Sequence, residues 1–227
     1  MSKLYLIPTP IGNLEDITLR SLRILRECDF LLAEDTRKTK KLLNHYDIKK
    51  KLNSYHAHNE HKVCLDWVEK IKKGKIIALV SDAGTPAISD PGFLIVRECI
   101  NQGISVDCLP GATALIPALV NSGIPCNTFV FEGFLPAKKG RKKRLEALVG
   151  EKRTMVFYES PHRIEKTLNY FAQYFGMDRK IVVCRELTKL YGENLRGTIK
   201  KILELLKNKK LKGEFVIVVS GAMNNYE

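Results

Sequence analysis

No apolar run in this chain approaches the roughly 20 residues that a membrane-spanning helix needs. No two of its six cysteines are spaced C-x-x-C; Cys28, Cys64, Cys99, Cys108, Cys126 and Cys184 lie far apart, mostly inside apolar segments. That spacing argues against disulfides and a zinc site, and for buried thiols in a reducing compartment. The first strand-like run does not lead into G-x-G-x-x-G, and G-x-x-x-x-G-K-[ST], G-x-S-x-G and H-E-x-x-H are missing throughout. Each of those motifs specifies a backbone shape that its chemistry requires. Dinucleotide binding of the usual kind, NTP hydrolysis, serine hydrolysis and zinc proteolysis therefore recede. The start, "MSKLYLIPTP", runs directly into a strand-like stretch interrupted by proline, unlike a signal or transit peptide. The expected location is the cytosol, with no membrane association.

Acidic residues are also in short supply. Lys plus Arg is 38 against 25 Asp plus Glu, a formal net charge of +13. With 44% hydrophobic and 28% charged residues in 227, the composition is otherwise that of a globular protein able to bury one large core or two smaller ones. A surplus of this size points to a polyanionic partner, most plausibly nucleic acid.

What is present is an alternation of apolar strand-like runs with amphipathic helical ones. "KLYLIP", "DFLLAED", a short "LNSYHAH", "IIALVSD" and "ISVDCLP" read as strands, with helices through "ITLRSLRILREC", "TKKLLNHY", "EHKVCLDWVEKIKKG", "FLIVRECINQG" and "GATALIPALVNSG" between and after them. The almost wholly apolar "IIALVSD" is what a parallel strand covered on both faces looks like. After the Gly/Pro-containing connection "NSGIPCN" the texture changes. "TFVFEGFLP", "RTMVFYES", "KIVVCREL" and "EFVIVVSG" are strands, with helices through "RLEALVG", after "PHR" and through "TIKKILELLKN". The expected organisation is two α/β domains, 1–120 and 121–227.

Turn-rich stretches stand at the carboxyl ends of the predicted strands: "PTPIGNLED", "AEDTRKT", "SYHAHNE", "SDAGTPAISDPG" and "LPGATA". Open α/β sheets bind ligands at those ends. In the fourth, Gly84 and Gly92 allow close backbone approach, Pro86 and Pro91 stiffen the loop, and Ala83, Ala87 and Ile88 offer an apolar wall to a flat heteroaromatic ring. The free N–H groups of "PGATA" suit a carboxylate or hydroxyls. Any one of these would pass as an ordinary turn; five together, without a phosphate-binding pattern, suit a bulky ligand held by shape and main chain.

The stretches "LYLIPTPIGNLEDITLR", "LLAEDTRKT", "YHAHNE", "LVSDAGTPAISDPG", "LPGATALIPAL", "FEGFLP", "VFYESPHRI", "CREL" and "GEFVIVVSG" resemble, in order and spacing, the RNA 2′-O-ribose methyltransferase branch of the tetrapyrrole methylase superfamily. One departure is Ala57, where relatives often carry Glu. The resemblance covers essentially the whole chain. It implies a tetrapyrrole methylase fold, with a mostly parallel sheet in the N-terminal domain and a mixed sheet in the C-terminal one. It also implies S-adenosylmethionine as methyl donor in the interdomain cleft, and a homodimer. The implied reaction is 2′-O-methylation of a cytidine in the decoding region of small-subunit ribosomal RNA. The expected partner is that RNA within the assembled subunit, although the sequence does not choose between the subunit and naked RNA. Donor contacts implied by the resemblance fall on Asp82, Gly84, Ile88, Thr113, Ala114, Phe157, Arg185 and Phe215, mostly through main chain.

A ribose 2′-hydroxyl is weakly acidic, so a positioned base helps by about 10²–10⁴-fold. Asp35, His56 and His58 are the candidates, since they sit on loops beyond strand ends, and Arg37 is placed to hold a phosphate bidentately. Asp35 in "EDTR" also suits a helix cap. His56, His58 and His61 invite a metal reading, with His56 and His58 on one face of a strand. No further ligand motif completes that set, and no metal is assigned. For RNA the basic "KKGRKKR" supplies Lys138, Lys139, Arg141, Lys142, Lys143 and Arg144 to neutralise phosphates. Two other readings compete: methylation of a small tetrapyrrole or corrinoid, and a non-catalytic RNA-binding assembly factor.

Overall fold

The computed structural model describes residues 2–207, 209 and 211–222. The chain divides into two compact units, Met1–Thr113 and Ala114–Glu227.

The first unit runs β1 (Lys3–Leu6), a short 3-10 turn (Leu14–Asp16), α1 (Leu19–Glu27), β2 (Phe30–Ala33), α2 (Thr36–His45), β3 (Leu52–Ser54), α3 (Glu60–Lys72), β4 (Ile76–Val80), α4 (Phe93–Asn101) and β5 (Val106–Cys108). Its five strands lie in the order β3-β2-β4-β1-β5, every neighbouring pair parallel. Side chains alternate across a strand, and the core divides accordingly. Leu4, Leu6, Leu32, Ile77 and Leu79 meet Trp67, Val68 and Ile71 of α3 and Ile95 and Cys99 of α4. Leu31, Ala33, Ala78 and Val80 meet Ile24 and Leu25 of α1 and Leu43 of α2 on the opposite face. Both faces are covered, so β4 can be apolar at every position. α1 and α2 begin at side-chain caps, Thr18 accepting from the Ser21 N–H and Asp35 from the Arg37 N–H.

The second unit runs α5 (Leu115–Ser122), β6 (Phe129–Phe134), α6 (Arg141–Leu148), β7 (Thr154–Glu159), α7 (Ile164–Phe175), β8 (Lys180–Arg185), β9 (Glu193–Thr198), α8 (Ile199–Leu206) and β10 (Phe215–Val219). The sheet order is β6-β7-β10-β8-β9, with β6 and β7 parallel and the remaining pairs antiparallel. One face, including Met155, Phe157, Val183 and Ile217, packs on α6, α7 and α8. The other, with Val156, Val182, Val216 and Val218, packs on Ala118 and Leu119 of α5.

Three expectations are corrected here. The boundary falls at 113/114, not 120/121, because α5 buries its apolar side against the second sheet. Strand β9 has no counterpart in the sequence reading; its "ENLRGT" is a half-exposed edge that pairing with β8 alone makes a strand. Two of the six cysteines, Cys108 and Cys126, are exposed. The other four are buried, and burial pushes the Cys99 thiol up to about 12, out of reach of thiolate chemistry. Among the described residues no helix is long and apolar enough to cross a membrane.

Candidate active site

Strands β1 and β4 are neighbours, yet α1, which follows β1, covers one face of the sheet and α4, which follows β4, covers the other. Loops that leave adjacent strands toward opposite faces open a crevice between them, where α/β sheets hold ligands. Here the loops are fastened to one another. Thr9 and Gly84 exchange two backbone hydrogen bonds of 2.9 Å each. The Thr9 hydroxyl donates to the Ser81 carbonyl at 3.2 Å, and the Thr85 hydroxyl to that of Ala112 at 3.1 Å. Gly111 lies flat against Pro8: a Cβ on it would stand 2.7 Å from the Pro8 Cβ. The β1, β4 and β5 loops thus form one block.

The 81–92 loop is not a solvated turn. Ser81, Gly84, Pro86 and Gly92 are buried, while Ile88 presents its side chain outward at 40% exposure. Gly84 adopts φ +79°, which only glycine takes without strain. Ala87 (φ 69°) and Ser89 (φ 63°) hold left-handed backbone despite their side chains, each at a cost of about 1–2 kcal/mol. Such strain persists where surroundings over-determine it, as in ligand clamps; here the Ala87 N–H is tied to the Pro91 carbonyl at 3.2 Å.

Beside this loop, at the end of β2, stands a carboxylate group. Asp82 accepts from the Asp35 N–H at 3.0 Å and from the Lys38 ammonium at 2.7 Å, and the Asp82 N–H donates to Glu34 at 3.1 Å. Asp35 caps α2 and receives both the Nε and Nη2 groups of Arg37, at 3.1 and 2.8 Å. Those bonds hold its carboxyl far below the usual range, so Asp35 is a weak proton acceptor, and the Arg37 fork is already filled. The cap is the role this geometry supports for Asp35. Burial pushes Glu34 the other way, upward. Glu34 was not among the sequence candidates; its signal is only its place between strand end and cap.

His56 and His58 lie beyond the end of β3, on a turn instead of a strand. Their ring centroids are 5.8 Å apart. The His58 backbone N–H donates to Nδ1 of His56 at 3.2 Å, so a neutral His56 carries its proton on Nε2. Among the described residues no group of three or more His, Cys, Asp or Glu side chains is arranged to hold a metal ion.

In the second unit, α5 starts at Ala114 with no side-chain cap, which leaves its first N–H groups without a side-chain partner. Phe157 and Phe215 are 1% and 2% exposed and belong to the core, so only their backbone can meet a ligand. Arg185 donates to Glu193 at 2.9 Å and to the Lys212 carbonyl at 2.8 Å. Of the six cations in "KKGRKKR", Lys138, Lys139, Lys142, Lys143 and Arg144 are exposed. Arg141 is not: at 4% exposure it donates to the Pro136 carbonyl at 2.7 Å, stands 3.9 Å from Glu159 and faces the Tyr170 ring. Its place among the RNA-facing cations is therefore withdrawn. Arg163 likewise bonds the Leu135 carbonyl at 2.6 Å and pairs with Glu159 at 3.3 Å, so "YESPHR" braces the 135–141 loop.

The sequence profile of the Tetrapyrrole (Corrin/Porphyrin) Methylases matches residues 3–203, and the chain belongs to that family. It is 50% identical to the "Ribosomal RNA small subunit methyltransferase I" of Bacillus subtilis, over 99% of this chain and 77% of that one. The protein of the same name from Thermotoga maritima is 48% identical over 97% of this chain and 99% of its own length. Solved structures share the fold at low identity. A Thermus thermophilus uroporphyrin-III-C-methyltransferase superposes with TM-score 0.67 at 17% identity, covering 100% of this chain and 97% of that one. A cobalt precorrin-4 methyltransferase gives 0.69 at 19%, covering 96% and 95%. The chain is accordingly a methyltransferase whose methyl donor is S-adenosylmethionine. The fastened loops of the first unit, with a glycine cradle at Gly84, fit such a donor in chemistry.

Proposed function

We propose that this enzyme methylates the ribose 2′-hydroxyl of a cytidine in the decoding region of small-subunit ribosomal RNA, acting as a homodimer on the assembled subunit. The observation that carries the reading is the set of exposed cations at the start of α6, on a chain about half identical to proteins named ribosomal RNA small subunit methyltransferase I. Cations at a helix N-terminus oppose the helix dipole, each by about 0.3–1 kcal/mol. Lys143, with Lys138, Lys139 and the paired Lys142 and Arg144 alongside, is therefore better suited to meeting phosphates than to stabilising the helix.

Bound S-adenosylmethionine supplies an electrophilic methyl group on a cationic sulfur. The residues proposed to hold it are Asp82, Gly84, Ile88, Thr113, Ala114, Arg185 and the backbones of Phe157 and Phe215. The contribution of the chain is then positioning and removal of the 2′-hydroxyl proton. Glu34, kept basic by burial, is better suited to take that proton than Asp35. His58 is the second candidate, and His56 with its Nε2–H offers a hydrogen bond to the RNA.

The test is transfer of a labelled methyl group to small subunits lacking the modification, with naked ribosomal RNA and a Gly84→Arg variant in parallel. Cytidine 2′-O-methylated by the wild type and unmodified by the variant is the expected product. Donor binding without transfer to either RNA form would sink the acceptor assignment and favour a small-molecule substrate.

A further inference from the structure

Along the edge strand β6 lies an open cavity of about 570 Å³. Its wall includes Phe131, Phe134, Glu132, Lys143, Arg144 and Pro136. A bulge in β6 produces it. Phe131 pairs with Val156 and Gly133 with Phe157, so Glu132 is the extra residue, and bulges re-aim side chains in this way. The redirected Glu132 carboxylate, 3% exposed, receives Nε and Nη2 of Arg144 at 2.6 and 2.5 Å. That bidentate pair fixes the Arg144 plane on the wall and cancels its charge. Phe134 is 51% exposed, and Tyr158 supports both phenylalanines edge-on, with centroids 5.0 Å from Phe131 and 5.7 Å from Phe134.

A half-exposed aromatic ring held rigid by a second ring is poorly explained by core packing. The cavity combines a π-surface, a fixed guanidinium plane, a neutralised carboxylate and one uncompensated cation, Lys143. That is the complement of a flat, uncharged, hydrogen-bonding ring attached to a single anionic linkage. Lys138, Lys139 and Lys142 are exposed on the loop and helix start that carry Lys143 and add positive charge there. A multiply carboxylated macrocycle would leave its charges against phenylalanine, whereas an unstacked nucleotide places base and phosphate on opposite kinds of surface.

We propose that this cavity is a nucleobase subsite, which stacks one unpaired base of the acceptor RNA on Phe134 while Lys143 neutralises the adjoining phosphate. The inference rests on the proposed RNA acceptor and deepens it. The subsite contributes to acceptor affinity, not to donor binding, since none of its lining residues is among the proposed donor contacts.

The experiment measures kcat and KM for methyl transfer to small subunits lacking the modification, together with S-adenosylmethionine affinity, for Phe134→Ala, Phe134→Leu, Phe134→Trp and Lys143→Ala. Stacking strengths predict that Phe134→Ala raises KM by roughly 5- to 100-fold. Phe134→Leu should recover little of that loss, and Phe134→Trp most of it, with donor affinity constant throughout. Lys143→Ala should reduce the salt dependence of acceptor binding by about one counterion. Phe134 is half exposed on an edge strand, and unchanged donor affinity shows that each variant is folded. Equal KM for wild type and Phe134→Ala, or full recovery with leucine, overturns the subsite while leaving the acceptor assignment intact. Absence of transfer by the wild type overturns both.

Discussion

Replacing Gly111 with alanine tests whether the strand-end loops act as one fastened block. The added Cβ would lie 2.7 Å from the Pro8 Cβ and 3.0 Å from its Cγ, against the 3.4 Å at which ordinary contact begins. Gly111 does not have a positive φ, so the substitution introduces crowding and no backbone strain. The proline ring cannot rotate aside, and next to it Thr9 is bonded on both sides to Gly84. The clash is therefore resolved in one of two ways. If the loops stay closed, the overpacking costs about 1–3 kcal/mol of stability, which for a chain of this size lowers Tm by roughly 2–12 °C. If they part, Tm holds, but the donor must draw them together again, and its Kd rises by roughly 5- to 150-fold for the same free energy. Differential scanning fluorimetry and titration calorimetry on one preparation read both. The control is Gly150→Ala, whose Cβ would meet nothing within 4 Å. Pro8→Gly removes the obstructing atoms, so adding Gly111→Ala to that background should cost little, a coupling of about 0.5–3 kcal/mol. Unchanged Tm and unchanged Kd in Gly111→Ala would refute the fastened block.

Arg141→Ala should destabilise the protein by about 1–3 kcal/mol, since it strips one of two cationic partners from the buried Glu159, which keeps Arg163, and packing from Tyr170. Lys142→Ala should change stability by less than about 0.5 kcal/mol and instead weaken RNA binding with a shallower salt slope; denaturant melts and filter binding separate the two. In the pH dependence of kcat, Glu34→Gln should abolish an acid limb lying above the ordinary carboxylate range. Asp35→Asn should leave that limb in place, because asparagine still caps α2; a limb that survives Glu34→Gln assigns the proton elsewhere. The Arg153 side chain, and then its N–H, hold Glu151 down to about 2, so the folded state favours the ionised form. That stabilisation is complete above the usual 4.5 and is lost as pH falls toward 2. Tm measured across this window should fall less steeply for Glu151→Gln than for the wild type.

The parts of the fold that could be read from sequence are those whose signal is local. β4 and β10 are apolar at every position because both faces of each sheet are covered, and the loops after β1, β4 and β5 announce themselves through Gly and Pro. Elements whose identity depends on a partner gave no such signal. β9 offers no apolar alternation, and Gly197 within it makes room for the Lys201 side chain, since a Cβ there would stand 2.9 Å from Cδ. It is a strand only because β8 supplies the hydrogen bonds. α5 has an apolar face that would suit either sheet, and nothing in its own residues chooses the second. The site divides along the same line. Gly84 is legible because its conformation is a property of the residue, whereas the acidity of Asp35 depends on how the Arg37 side chain folds back and that of Glu34 on how far the fold buries it. Among six consecutive-looking cations, only Arg141 has Glu159 and Tyr170 facing it, and that tertiary fact converts one member of an apparent RNA-binding run into part of the core. The sequence pattern places the charges in the right region; the fold decides which of them remain free to meet a phosphate.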